Sequence, residues 1–109
     1  MRRFFLILSL ATVMMVGMSA TNETIVKYYV EVIDAYELPL EGAIVIANDA
    51  VALNTDKDGL VIFNLVVGKE VTFRVLMEGY HATSTKVTVS SDTIKNYTKI
   101  VLNAIEVEE

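Results

Sequence analysis

Cysteine and tryptophan are absent from the 109 residues, and histidine and proline occur once each. Without thiols there are no disulfides, no thiolate metal sites and no cysteine for a lipid anchor behind an export signal. His81 alone gives neither a catalytic triad nor a zinc site its partners at matching spacings. A histidine at a turn-to-strand junction is most simply solvated, and no role is assigned to it. Basic residues are few, nine Lys and Arg against fourteen Asp and Glu, for a net charge of −5. With no basic cluster to relieve it, this acidity argues against nucleic acid and anionic lipid as partners.

A long apolar run is present at one place only. Arg2 and Arg3 precede FFLILSLATVMMVGM, Phe4 to Met18, which ends among the small residues Gly17, Ser19 and Ala20. This is the pattern of a secretory signal peptide cut after Ser19 or Ala20. The run is short for a ~30 Å hydrocarbon core, so an uncut membrane anchor is the weaker reading. The expected division is a signal peptide over residues 1–20 and one domain over 21–109, with no membrane span after cleavage. Losing Arg2 and Arg3 takes the formal charge from −5 to −7.

From Val30 to Phe63 the chain alternates, turns at Asp34 to Gly42, alternates again and turns at Asp56 to Gly59. That is the pattern of short antiparallel strands. Ile25 to Ile33 is the first, with Val26, Tyr28, Val30 and Val32 on a buried face and Lys27, Tyr29 and Glu31 on a wetter one. Ala43, Val45 and Ala47 point inward in the next, and Val51 to Leu53 makes a short strand. Asn54 to Gly59 carries an Asp-Gly turn signal. Val61, Phe63 and Leu65 follow in phase, then Val71, Phe73, Val75 and Met77, then Thr85, Val87 and Val89. Ser90 to Asp92 turns the chain, and Tyr97 to Ile105 is the final strand, with Ile100 and Leu102 inward. The acidic tail Glu106 to Glu109 is expected to fray. About seven strands at spacings of roughly 8–12 residues, without an amphipathic helix, predict an all-β, seven-stranded Greek-key β-sandwich.

Val30-x-Val32-x-Asp34-Ala35, then Pro39-Leu40-x-Gly42-Ala43-x-Val45, resembles the start of the carboxypeptidase regulatory-like domains. Thr55-Asp56-x-Asp58-Gly59, Phe63 with Leu65 and Gly68, and Gly79-Tyr80 match the next landmarks in order. The resemblance runs from about Val26 to Leu102. It implies a transthyretin-like (prealbumin-like) sandwich of the kind appended to exported enzymes, receptors and adhesins. The shared residues are architectural, so they speak to fold rather than activity. One position departs from the pattern: Glu37 stands in the first turn where such domains commonly carry glycine.

Asn54, Asp56, Asp58 and Gly59 look like the opening of a calcium loop, but the twelfth position, where a bidentate Glu is needed, is Leu65. A solvated hairpin turn fits better, and no metal or cofactor is expected. Lys27 and Asn103 are similar in placement to the crosslinking pair of the Cna-B adhesin and pilin domains. Alternation puts Lys27 on the wetter face, and the position of the assisting acid aligns with Val75, so no crosslink is expected. The hydroxyisourate hydrolases of the transthyretin-like fold depend on several histidines and an arginine-bearing C-terminal motif; this chain ends NAIEVEE and has neither. Asn22-Glu23-Thr24 and Asn96-Tyr97-Thr98 match the glycosylation sequon, which matters only in a eukaryotic secretory pathway.

Among the five tyrosines, Tyr28 and Tyr80 are assigned to the core and its rim. Tyr29, Tyr36 and Tyr97 are the candidate interaction surface, apolar in area and polar at the tip. The expectation is an exported, non-enzymatic module, periplasmic or at the cell surface, that engages an envelope or surface protein. A carbohydrate- or small-ligand-binding module is the alternative, and the absence of tryptophan makes a sugar-stacking platform less fitting.

Overall fold

A computed structural model describes residues 23–106. The signal peptide expected over residues 1–20 lies outside the described residues, as does the tail from Val107 to Glu109. Apart from one short 3-10 turn, Thr93–Lys95, the regular structure is all strand. The strands are β1 (Ile25–Ile33), β2 (Ile44–Ala47), β3 (Val51–Asn54), β4 (Leu60–Val66), β5 (Glu70–Leu76), β6 (Thr83–Thr88) and β7 (Tyr97–Val101). They form a three-stranded sheet in the order β4-β1-β7 and a four-stranded sheet in the order β3-β2-β5-β6.

The two sheets pack face to face as a β-sandwich, and period-two alternation supplies the core. Tyr28, Val30 and Val32 of β1, with Val61 and Phe63 of β4, meet Val45 and Ala47 of β2 and Val71, Phe73 and Val75 of β5. Phe73 is the junction. Its ring centroid lies 5.4 Å from that of Tyr28 and 5.3 Å from that of Phe63, both on the opposite sheet and both tilted. Tilted aromatic contacts of this kind add to what area burial alone supplies.

Two turns at one end of the sandwich share a geometry. In the first, Asp34 Oδ1 accepts from the amides of Tyr36 (2.8 Å) and Leu38 (2.9 Å), and the Glu37 amide donates to the Asp34 carbonyl. In the second, Asp56 Oδ1 accepts from Asp58 (2.9 Å) and Leu60 (3.0 Å), and the Gly59 amide donates to the Asp56 carbonyl. Glu37 and Gly59 are equivalent positions, at φ 67° and 74°. Glycine enters this left-handed region freely, whereas glutamate does so at a cost. Beneath these turns the buried Thr55 hydroxyl accepts from the Ala43 amide and donates to the Leu40 carbonyl.

Three features depart from the sequence expectation. β7 runs parallel to β1, whereas every other pair is antiparallel. It reaches β1 from the other sheet through the connection after β6, which frees it from the reversal a hairpin imposes. That connection also holds the unanticipated 3-10 turn, capped by Asp92, whose side chain accepts from the Ile94 amide. Finally, the last strand ends at Val101 rather than Ile105. Its partner β1 stops at Ile33, whose carbonyl accepts from the Leu102 amide, and the chain then crosses over. The His81 amide donates to the Asn103 carbonyl and the Ile105 amide to the Gly79 carbonyl, closing that end of the sandwich.

Candidate functional site

With Tyr28, Val30 and Val32 facing the core, alternation sends Ile25, Lys27, Tyr29 and Glu31 to the outside of the three-stranded sheet, while Ile33 at the strand's end is buried. β1 is the central strand, so its outward residues have neighbours on both sides. Tyr29 pairs with Ile62 on β4 and with Tyr97 on β7. The result is an apolar row, Ile62–Tyr29–Tyr97, crossing the middle of the face; Ile62 is 45% exposed and Tyr97 47%. One step along the strands, Glu31 lies between Leu60 and Lys99; one step the other way, Lys27 lies beside Asn64.

The Tyr97 hydroxyl donates to Glu31 Oε1 across the β1–β7 pair. This bond raises the phenol above its ordinary value of 10.0, and burial and the carboxylate charge add in the same direction. Tyr97 is held in place from behind by Asn96, which is fully buried. Asn96 Oδ1 accepts from the Ser90 amide and Nδ2 donates to the Ser90 carbonyl, both at 2.8 Å. Its own carbonyl accepts from the Tyr29 amide at 2.9 Å. One side chain therefore closes the connection into β7 while its backbone docks β7 against β1 beside Tyr29.

Of the three candidate tyrosines, the structure brings Tyr29 and Tyr97 side by side. It places Tyr36 elsewhere, beyond the end of β1 in the Asp34 turn, 84% exposed. Tyr28 is in the core, its hydroxyl bonded to Thr98 Oγ1 at 2.5 Å, and Tyr80 packs against the core from its rim. Ile62 and Lys99 complete the face and were not picked out from the sequence, whereas Glu31 was expected beside Tyr29 on the wetter side of β1. Alternation alone puts Ile62 outward, but its position beside Tyr29 depends on the β1–β4 register, which no local pattern encodes.

The remaining motifs resolve as structure. Lys27 is exposed near the start of β1, while Asn103 follows Val101, which pairs with Ile33 at the other end. Six residues of strand, roughly 20 Å, separate those two levels. Asp56 spends its Oδ1 on the amides of Asp58 and Leu60, and the turn, expected as a hairpin, instead carries the chain from β3 in one sheet to β4 in the other. His81 is exposed. The Asn96 amide of the second sequon is buried and bonded, so the folded chain does not present it for glycosylation; Asn22 of the first lies outside the described residues. Among the described residues no three His, Asp or Glu side chains group as metal ligands, no enclosed cavity occurs, and no helix is long and apolar enough to cross a membrane.

No known family and no curated protein matches the chain. Among solved structures it is similar to 3-chlorocatechol 1,2-dioxygenase from Rhodococcus opacus 1CP, with a TM-score of 0.61 and 12% identity over 79% of this chain. The match spans 63% of that enzyme's length. At this identity the likeness is one of fold.

Proposed function

We propose that this chain is an exported, non-enzymatic binding module of the bacterial envelope that contacts a partner protein through the outer face of its three-stranded sheet. The observation that carries this reading is the Ile62–Tyr29–Tyr97 row, an aromatic and apolar strip presented on the outside of the sheet and bordered by Lys27, Glu31 and Lys99. Tyrosine flanked by charges is the composition of a contact surface, large in area and low in entropy cost on ordering. The outward positions of β5 and β6 read differently: Glu70, Thr72, Arg74, Ser84, Lys86 and Thr88. Within the same reading, the domain is a seven-stranded Greek-key sandwich of the carboxypeptidase regulatory-like type. Pro39 to Gly42, Asp56 to Gly59 and Gly79-Tyr80, all falling in connections between strands, support that assignment.

A photo-crosslinking residue placed at Tyr29, Tyr97, Tyr36 or Thr72 in cells of the source tests it. The expected result is a defined protein adduct from Tyr29 and Tyr97 and none from Thr72. Equal adducts from Thr72, or none from any tyrosine, would sink the reading. Recovery of polysaccharide from the tyrosine positions would favour the carbohydrate-binding alternative.

A further inference from the structure

We infer that the occupant of this face is a second copy of the chain, docked about a two-fold axis that lies in the interface, perpendicular to β1, and passes over Tyr29. The inference rests on the reading of the face as a contact surface. The outward residues of β1 are, in order, Ile25, Lys27, Tyr29 and Glu31, while Ile33, next in the series, is buried. The series has its aromatic residue midway between its two charges. In charge it is antisymmetric, with lysine on one side of the tyrosine and glutamate on the other.

Two face-to-face arrangements keep β1 over β1. In the first, the axis runs along the Ile62–Tyr29–Tyr97 row and the two central strands lie antiparallel. Tyr29 then meets Tyr29, Lys27 meets Glu31 of the second copy, and Glu31 meets its Lys27. Ile25 meets the end holding Ile33 and Val101; Ile33 is already covered, and Val101 supplies the exposed apolar surface. In the second, the axis runs along the strands. Lys27 then opposes Lys27 and Glu31 opposes Glu31, a like-charge arrangement that is penalised across an interface. Charge thus selects the first.

Stacked sheets cross at about 30°. The charged residues sit only about 6.6 Å from the axis along the strand. The crossing displaces each from its counterpart by roughly 3.5 Å, within the reach of lysine and glutamate side chains. Lys99 has no counterpart, because β7 begins at Tyr97, and its ammonium stays at the rim. In a chain of net charge −5, this face sets two lysines against one glutamate, so it carries none of the chain's excess negative charge.

The size of the face sets the strength. Three strands about 4.8 Å apart, of nine, seven and five residues, give a footprint of roughly 330 Å², short of the ~800 Å² per partner of a standard stable interface. The dimer is accordingly a weak, concentration-dependent one.

Sedimentation velocity on the full chain, in the form the cell processes it to, from about 10 µM to about 1 mM covers the range for such an interface. Monomer growing into dimer is the expected result. Lys27→Glu should weaken association at least ~10-fold, since symmetry makes two repulsive pairs from one substitution. Glu31→Lys should act likewise, and the doubly exchanged protein should recover association to within about threefold of the original. Arg74→Glu, on the outer face of the other sheet, should leave it unchanged. A monomer at every concentration, or a dimer indifferent to the exchange, overturns the inference. The photo-crosslinker at Tyr29 separates the two readings: an adduct with a different protein preserves the contact surface and removes the self-association, and no adduct removes both.

Discussion

At the scale of single residues, the paired turns give a controlled comparison. Glu37 and Gly59 occupy equivalent left-handed positions in turns whose aspartates make the same bonds. A non-glycine residue there costs roughly 1–2 kcal/mol, against which glycine loses some unfolded-chain entropy. Glu37→Gly is therefore expected to stabilise the fold by about 0.5–1 kcal/mol, read as a shift in the urea midpoint. The reverse change has the opposite sign. A Cβ on Gly59 would stand 2.5 Å from the backbone oxygen of Val32, which has no side-chain freedom with which to yield. Gly59→Ala should cost about 2–4 kcal/mol. Tyr97 offers a test by pH. Because its folded value is raised above 10.0, chiefly by the bond to Glu31, the stability it contributes is full below that pH and is lost as pH rises through the folded value. Comparing tyrosinate absorbance of the wild type and Tyr97→Phe isolates its titration. Glu31→Ala, which removes the acceptor, should bring that titration back down; an unmoved titration would mean the bond does not form in solution.

At the scale of elements, the connection from β6 to β7 determines whether the outer face exists. β7 lies parallel to β1, so no hairpin holds it in register, and the link depends on Asn96. Replacing Asn96 with alanine leaves the Ser90 amide and carbonyl without their partner in a partly buried place, at about 2–4 kcal/mol. The expected signature is local before it is global. Hydrogen exchange should quicken first at the Ser90 and Tyr29 amides, whose bonds run to Asn96, while the Phe73 amide in the core keeps its protection. Uniform loss of protection would show that Asn96 supports the whole sandwich rather than this seam. None of this was legible beforehand. Asn96 followed a polar stretch, Ser90 to Asp92, that looked like an ordinary turn, and its burial depends on where two distant strands come to rest. The Asp34 and Asp56 turns, by contrast, were legible, because aspartate, proline and glycine act on their own neighbours.

At the scale of the whole molecule, the division between what could and could not be read follows the range of the interaction. Alternation placed Tyr28, Val30, Val32, Val45, Phe63, Phe73 and Val75 inside, and all are buried, because period two is a local property of extended chain. Which strand lies beside which is decided by closure of the core, so neither the parallel β1–β7 pair nor the Ile62–Tyr29–Tyr97 row could be seen in one dimension. Phe73 concentrates that closure in one side chain. It extends from the four-stranded sheet to touch Tyr28 and Phe63, which belong to both strands of the β1–β4 pair. Truncation to alanine removes two aromatic contacts and opens a cavity between sheets that cannot move independently to fill it. The expected cost is about 3–5 kcal/mol, a large part of the ~5–15 kcal/mol that holds a domain of ordinary stability. Ile94→Ala, at a side chain 87% exposed, should change stability by less than about 0.5 kcal/mol. If the sheets fold as one unit, Phe73→Ala lowers the urea midpoint and leaves the slope of the transition unchanged. A shallower slope, or separate transitions by tyrosine fluorescence and far-ultraviolet circular dichroism, would show that one sheet persists without the other.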